Sequence, residues 1–564
     1  MRIVKASLTT PSALLALVMV LLCVFLMVFH KKINTTLWRV LCIVPLLLCV
    51  IHGIKYNFGK SWIYILQWFG PMYLTALLMG LWQFAEGRVI LCRVAAGVVL
   101  LASIINFVYI PTGGPTKTHL HCYTYQSWTN SFIKTVRTME QEYPLSDWKG
   151  IDYDALLEEF VPRIQAAERE QDKVALGVAL FDFSNRFYDG HVYLDLVDVN
   201  LGAEINHQLM GNDYGLSLIS LDTGEVVAVA VEPGSAAEAS GIHAGTVVTH
   251  WNGVPVQEAK YSFVLPIRPP VAENEEPTRT MLLAGQGGET VMVTFLADDG
   301  QSKTIQLNRI GDYTARWNEA FNKFCHYEQE KNFSYKMISD ACGYLRIKDE
   351  DLKAWETAYA WITGQAPFIT KRVDKILTEL QSQGMQTLII DIRNNTGGQP
   401  QVSAAVASLF MNDTSRYTYI WEPADSKQGG SKASLAVTGN GKWKDLSVVV
   451  LVNRNTVSSG DLLAQMLADC DNVTLMGMKP SNGSCQTTGG ICVLADGHFS
   501  IFYPTWLDLD ANGQPLIDTD ASRETRIPLD VKIPVDAAMI QAIFVEGGRD
   551  YELGFALQWL ESQN

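Results

Sequence analysis

The chain is 564 residues long, too long for one domain, and its 44 Lys/Arg against 59 Asp/Glu give a formal net charge of −15. Residues 1–111 hold nine of the basic residues and a single acid, Glu86, so the negative charge lies in the remainder. That balance excludes nucleic acid as a partner, because such binding is dominated by phosphate neutralisation.

Residues 11–30 are apolar over about the length that spans a bilayer. Further apolar segments at 37–54, 62–82 and 89–110 make a cleaved signal peptide the weaker reading. Residues 1–111 are therefore expected to form an all-α transmembrane bundle of about four helices in contact with the lipid bilayer. Lys31, Lys32, Arg39, Arg88 and Arg93 on one face against Arg2, Lys5, Lys55 and Lys60 on the other favour a multi-pass membrane protein whose remaining part is extracytoplasmic.

A Pro/Gly/Thr linker follows at 110–116, and residues 112–200 are expected to be a small helical domain. Asp152 and Asp172 open two amphipathic segments as N-caps. The second runs into Asp189-Gly190-His191 and then an alternating, strand-like run. A lone histidine is most often a satisfied structural residue. At the end of a tight turn and the edge of an element, His191 is also a candidate base.

Residues 201–310 read as β-rich: short alternating strands, Pro233-Gly234-Ser235, a short helix, Gly241 to Gly245, another strand and a turn at Asn252-Gly253. The tract 272–279, AENEEPTR, reads as a solvated acidic loop.

From 311 to 564 strands and helices alternate, which argues for an α/β core. Ala341–Ile347 and Thr387–Ile392 are strands, the second ending at Gly397-Gly398. The run Val448–Val452 has the composition of a buried parallel strand and is followed by Ser458, Ser459 and a helical pattern. A serine there is either a helix N-cap or a nucleophile beside the N–H groups that open the helix. Sites in such sheets lie at the carboxyl ends of strands. The Gly398 and Ser459 N–H groups are the matching candidates for oxyanion donors. The ten cysteines show no CxxC or Cys/His zinc spacing, so no metal and no cofactor are expected. Cys485 and Cys492 are spaced to close a short disulfide loop.

Several of these stretches carry a family resemblance. PGSAAEASGIHAGTVV resembles the core of a PDZ domain, which implies that Tyr214, Gly215, Leu216, Ser217 and Leu218 hold a peptide tail by strand addition. ACGYLRI, LIIDIRNNTGG and VLVNRNTVSSGDLLA, in that order, resemble the carboxyl-terminal processing (tail-specific) serine peptidase family, with Ser458 at the nucleophile position. The resemblance covers most of 125–540 and implies a PDZ domain joined to an α/β catalytic core of ClpP/crotonase-like layering. The bacterial branch places a lysine base near Gly483 or Ser484; no lysine stands there, and Lys479 is offset. The tricorn-core branch takes a histidine from the preceding domain, and its signature is matched by Asp189-Gly190-His191, with Gly190 where that branch has a serine. The same branch implies an acid shortly before a P-x-D segment, here Glu524. The implied protein is a membrane-anchored serine endopeptidase acting on protein or peptide substrates. The alternative is a catalytically silent scaffold of the same fold that binds peptides or carries a ligand.

Overall fold

The computed structural model describes scattered positions between 18 and 48 and residues 119–563 apart from 328–332, 413–415, 424–432, 511 and 548. These fall into two units: Met1–Cys122 with Gly489–Val493, and Tyr123–Thr488 with Leu494–Asn564.

In the first unit, helix α1 is Thr35–Leu41 and strand β1 is His119–Cys122, which runs parallel to residues 490–493. The expected transmembrane bundle is overturned: among the described residues no helix is long and apolar enough to cross a membrane. Seven helical residues rise only about 10 Å against an apolar bilayer core of about 30 Å, and a turn follows α1 at Cys42. The readings of a multi-pass location, an extracytoplasmic part and a bilayer partner fall with it. The apolar segments 62–82 and 89–110, and the linker, lie outside the described residues.

The second unit opens with three helices, α2 Trp128–Glu142, α3 Tyr153–Glu170 and α4 Lys173–Ser184. Asp152 and Asp172 cap α3 and α4 as expected, accepting from the Ala155 and Ala175 N–H groups at 2.9 Å each. Their buried faces meet through Phe132, Phe160, Phe183 and Phe187, whose rings pack mostly edge to face. This wedge fixes where the chain emerges towards Asp189, ahead of strand β2, Tyr193–Leu196, and helix α5, Val199–Met210.

Strands β3 Ser217–Ser220 and β4 Val226–Val229 form an antiparallel pair. Strand β5 Val248–Trp251 pairs with β6 Thr290–Leu296, and β6 with β7 Ser302–Asn308. Between them lies helix α6, Ala272–Leu283. The acidic tract is thus the start of a helix and not a solvated loop. Glu273 and Glu275 fall in its first turn, where the helix dipole favours acids, and Asn274, Thr278 and Met281–Leu283 are buried. Glu275 is further held by Arg279 and Arg523, each at 2.5 Å.

Beyond helix α7, Thr314–Phe324, a six-stranded sheet forms the core. Its strands are β8 Ser334–Met337, β9 Cys342–Arg346, β10 Thr387–Asp391, β11 Ser447–Leu451, β12 Val473–Gly477 and β13 Val531–Lys532, in that spatial order. Only the β8–β9 pairing is antiparallel. Alternation along each strand divides the burial. Leu388, Ile390, Val448 and Val450 face helices α8 Pro367–Ser382, α9 Pro400–Ala407 and α10 Ser459–Ala468. Ile389, Val449 and Leu451 face α7 and the final helix, α11 Tyr551–Gln563. A strand covered on both sides must be apolar throughout, which is why β10 and β11 read as continuous runs.

Candidate active site

Strand β11 delivers the chain to a turn that is fastened on all sides. The Thr456 hydroxyl donates to the Ile392 carbonyl at 2.8 Å, and the Val457 N–H to the Asn395 carbonyl at 2.9 Å. Ser458 follows with φ 63° and ψ −128°, a sparsely populated backbone conformation that costs a side-chain-bearing residue about 1–3 kcal/mol. It precedes α10 directly, yet its hydroxyl makes no capping bond, and among the described residues none is made to its Oγ. A helix-capping serine has an extended backbone and an engaged oxygen. Ser458 has neither, and it is half-buried. A strained turn with an uncommitted hydroxyl at a helix N-terminus is the geometry of a nucleophile.

The Gly-Gly turn after β10 is pressed against this residue. A Cβ on Gly397 would lie 2.7 Å from Ser458 Cβ and 2.7 Å from the Ser459 nitrogen. Glu350 braces the turn from behind: its N–H donates to the Gly397 carbonyl and its carbonyl accepts from the Gln399 N–H. Gly398 itself is exposed, and its carbonyl accepts from the Ser459 hydroxyl at 3.0 Å.

His191 arrives from the far side. Its N–H donates to Asp189 Oδ1 at 2.8 Å, and Tyr143 donates to Asp189 Oδ2 at 2.7 Å. The imidazole Nδ1 lies 4.0 Å from Asp189 Oδ1, too long for a hydrogen bond, and is without a partner. Burial lowers the His191 pKa below the ordinary imidazole value, opposed by the Asp189 carboxylate. The ring is neutral at neutral pH and able to take a proton.

Ser484 is, with Gly483, one of the two residues near which the resemblance puts the bacterial branch's lysine. It is fully buried and touches both loops. Its carbonyl accepts from the Ser458 N–H at 2.9 Å, and its hydroxyl accepts from the Gly190 N–H at 2.9 Å. Lys479 lies where Lys532, Asp222 and Glu276 are its charged neighbours, and burial lowers its pKa. The nearby acids are buried. Asp461, in the first turn of α10, is pushed up to about 7 by burial. Asp518 is also pushed up to about 7 by burial, with the Asp189 charge adding to the rise and Lys149, 3.8 Å away, opposing it.

Ser458, Ser459, Gly398 and the Asp189–His191 loop therefore converge. Glu524 is exposed, and among the described residues no hydrogen bond or ion pair holds its carboxylate. Its neighbour Arg523 stacks over Tyr188, just before Asp189, at 4.0 Å. Asp518, six positions before Glu524, is a buried acid that accepts from the Cys485 N–H and the Gln486 amide at 3.0 Å each. Sequence reading missed it because it lies in no periodic run. Cys485 keeps its thiol, which donates to the Leu516 carbonyl at 3.0 Å, so no disulfide closes the short loop there. Tyr214, Gly215, Leu216, Ser217 and Leu218 are all buried, and Ser217 hydrogen-bonds the Tyr313 hydroxyl at 2.7 Å.

Residues 342–518 match the family described as Peptidase family S41. That span holds Ser458, Gly398, Ser459, Ser484 and Asp518, and it leaves out His191. The chain is 26% identical over 248 residues to a carboxyl-terminal-processing protease of Picosynechococcus sp., covering 44% of this chain and 48% of that one. It is 24% identical over 373 residues to the chloroplastic C-terminal processing peptidase of Tetradesmus obliquus, covering 65% and 70%. The match thus spans about half the length of the first relative. The solved structure of mature CPAF complexed with lactacystin aligns over 78% of this chain and 99% of its own, with TM-score 0.49 and 13% identity. Together the family match and the relatives support a serine-type peptidase.

Proposed function

We propose that this protein is a serine endopeptidase of the carboxyl-terminal processing type whose base is His191 and not a lysine. Ser458 Oγ attacks the scissile carbonyl carbon while the imidazole takes the hydroxyl proton. The N–H groups of Gly398 and Ser459 bind the oxygen that becomes negative. His191 returns the proton to the departing amine, the acyl-enzyme forms, and water then releases it. Glu524 is the assisting acid in this reading, with Asp518, which is buried and feels the Asp189 charge, as the alternative. The observation that carries the reading is the double engagement of Ser484, which ties the Ser458 and Gly190 amides to one residue.

Residues 201–310 act in this reading as a PDZ domain for peptide tails. With Tyr214–Leu218 buried, a tail reaches that strand in this reading only after the segments that cover it move aside. Asn274 of α6 donates to the Pro480 and Ser481 carbonyls at 3.2 Å each, next to Ser484, which links helix and site.

The 4.0 Å gap between His191 and Asp189 favours the second reading, a silent peptide-binding scaffold. Labelling with a fluorophosphonate and a peptide-cleavage assay separate the two. The first reading expects labelling of the wild-type protein and loss of labelling and cleavage in Ser458→Ala and His191→Ala. Full activity in both variants overturns the assignment of Ser458 and His191 as nucleophile and base, and an unlabelled wild type that cleaves nothing leaves the scaffold.

A further inference from the structure

We propose that Ser484 is a positioning residue for the reaction: with Asp461 beneath it, it sets the register between the nucleophile turn and the histidine loop. This inference rests on the peptidase reading given above. Every polar group of Ser484 is committed. Its N–H donates to Asp461 Oδ2 at 3.2 Å, its carbonyl accepts from Ser458 and its hydroxyl accepts from Gly190. The preceding residue is fixed in the same way, because the Gly483 N–H donates to both Asp461 oxygens at 3.1 Å. Gly483 has φ +80°, and a Cβ there would meet Val271 at 2.8 Å, so the turn allows no larger residue.

The connections form a closed path. Asp461 sits one turn into α10, the helix that begins immediately after Ser458. It grips the 483–484 turn, which grips the Ser458 amide on one side and the Gly190 amide on the other. Helix, nucleophile and histidine loop are therefore referenced to one buried side chain. A lysine at this place would supply a base; the shorter serine supplies alignment, and the base comes from the loop it aligns. Gly190 fits this arrangement, since a Cβ there would lie 2.6 Å from Asn482 Oδ1 and 3.4 Å from Ser484 Cβ. Close approach of the two loops at that point favours the smallest residue. Asp461 and Asp518 are both buried acids, and Asp518 raises Asp461 further.

The test compares Ser484→Ala, Ser484→Thr and Asp461→Asn with the wild type, using fluorophosphonate labelling, steady-state cleavage of a peptide and thermal unfolding. Ser484→Ala removes the acceptor for Gly190 and keeps the backbone carbonyl that holds Ser458. A tenfold fall in kcat and in labelling rate is expected, on the order of one lost hydrogen bond, with KM within about twofold. Ser484→Thr, which keeps the hydroxyl, restores most of the rate. Asp461→Asn lowers kcat in the same direction and serves if Ser484→Ala is too unstable to assay. Wild-type kcat in Ser484→Ala or Asp461→Asn, or a threonine variant that regains stability but no rate, overturns the inference while leaving the peptidase reading intact. A wild type that is neither labelled nor active sinks the peptidase reading, and this inference with it.

Discussion

Replacing Gly397 by alanine is the most direct way to ask whether the Gly-Gly turn is fitted to the nucleophile. The glycine has φ +82°, which costs an alanine about 1–2 kcal/mol. The new Cβ would also lie 2.7 Å from Ser458 Cβ, 2.7 Å from the Ser459 nitrogen and 2.9 Å from the Val457 carbonyl. None of these is the loose end of a side chain, so the clash resolves only by moving the turn. Overpacking of this kind costs about 1–3 kcal/mol. Gly253 provides the control, because it has φ +77° and nothing within 4 Å of its Cβ position. Gly253→Ala bears the backbone term alone. Urea unfolding of the two variants should differ by about 1–3 kcal/mol, the clash by itself. A displaced Ser458 should also slow fluorophosphonate labelling by about a hundredfold, the scale of a 1 Å misplacement in an active site. If the two variants unfold within about 0.5 kcal/mol of each other and Gly397→Ala labels at the wild-type rate, the close fit between these loops is refuted.

Two further perturbations probe the buried charges. The Asp461 carboxyl rises from 3.8 to about 7 on folding. Below the lower value both states hold the proton; as pH climbs towards 7 the unfolded chain loses it first, so stability falls by at most about 1.4 kcal/mol per pH unit. Asp461→Asn should flatten that slope between about pH 4 and 7 in urea midpoints, and an unchanged slope would count against it. On the opposite face of the sheet, the buried Arg393 joins Asp391 at 2.6 Å, Asp550 at 2.7 Å and Glu552 at 3.0 Å. Its guanidinium and that of Arg346 hold Asp391 well below the usual carboxylate range. Arg393→Met strands these acids and should destabilise by about 3–5 kcal/mol, read as a large drop in melting temperature; a drop of only a degree or two would show that the cluster is not needed to anchor α11.

The parts of the fold that a linear pattern encodes were legible. Val448–Leu451 and Leu388–Ile390 announce strands covered on both sides, and the fold buries all of them. Asp152 and Asp172 announce helix starts because a cap is a local bargain between one side chain and the next turn. The apolar segment at 37–54 misled for a related reason: hydropathy registers composition, and spanning a bilayer also requires unbroken helical length, whereas α1 ends at Leu41. The tract at 272–279 misled because its charges were weighed as solvated, whereas Glu275 meets two arginines, one of them Arg523, 248 positions away in sequence.

The site divides along the same line. Ser458 and His191 stood out because hydroxyl and imidazole advertise their chemistry wherever they occur. Ser484 did not, because two of its three bonds are made by its backbone, and a backbone N–H or carbonyl is common to almost every residue. A missing lysine therefore looked like a gap in the catalytic machinery. In the folded chain the same position is densely bonded, and the residue there is small because two loops close over it. One distance bears on how the imidazole is oriented in the proposed relay. His191 Nδ1 stands 4.0 Å from Asp189 Oδ1, and a hydrogen bond of about 2.9 Å requires the ring to move by roughly 1 Å. Closure on that scale is ordinary when substrate binds. An active protein whose His191 is no better ordered with a covalent serine inhibitor than without one would place the orienting group elsewhere.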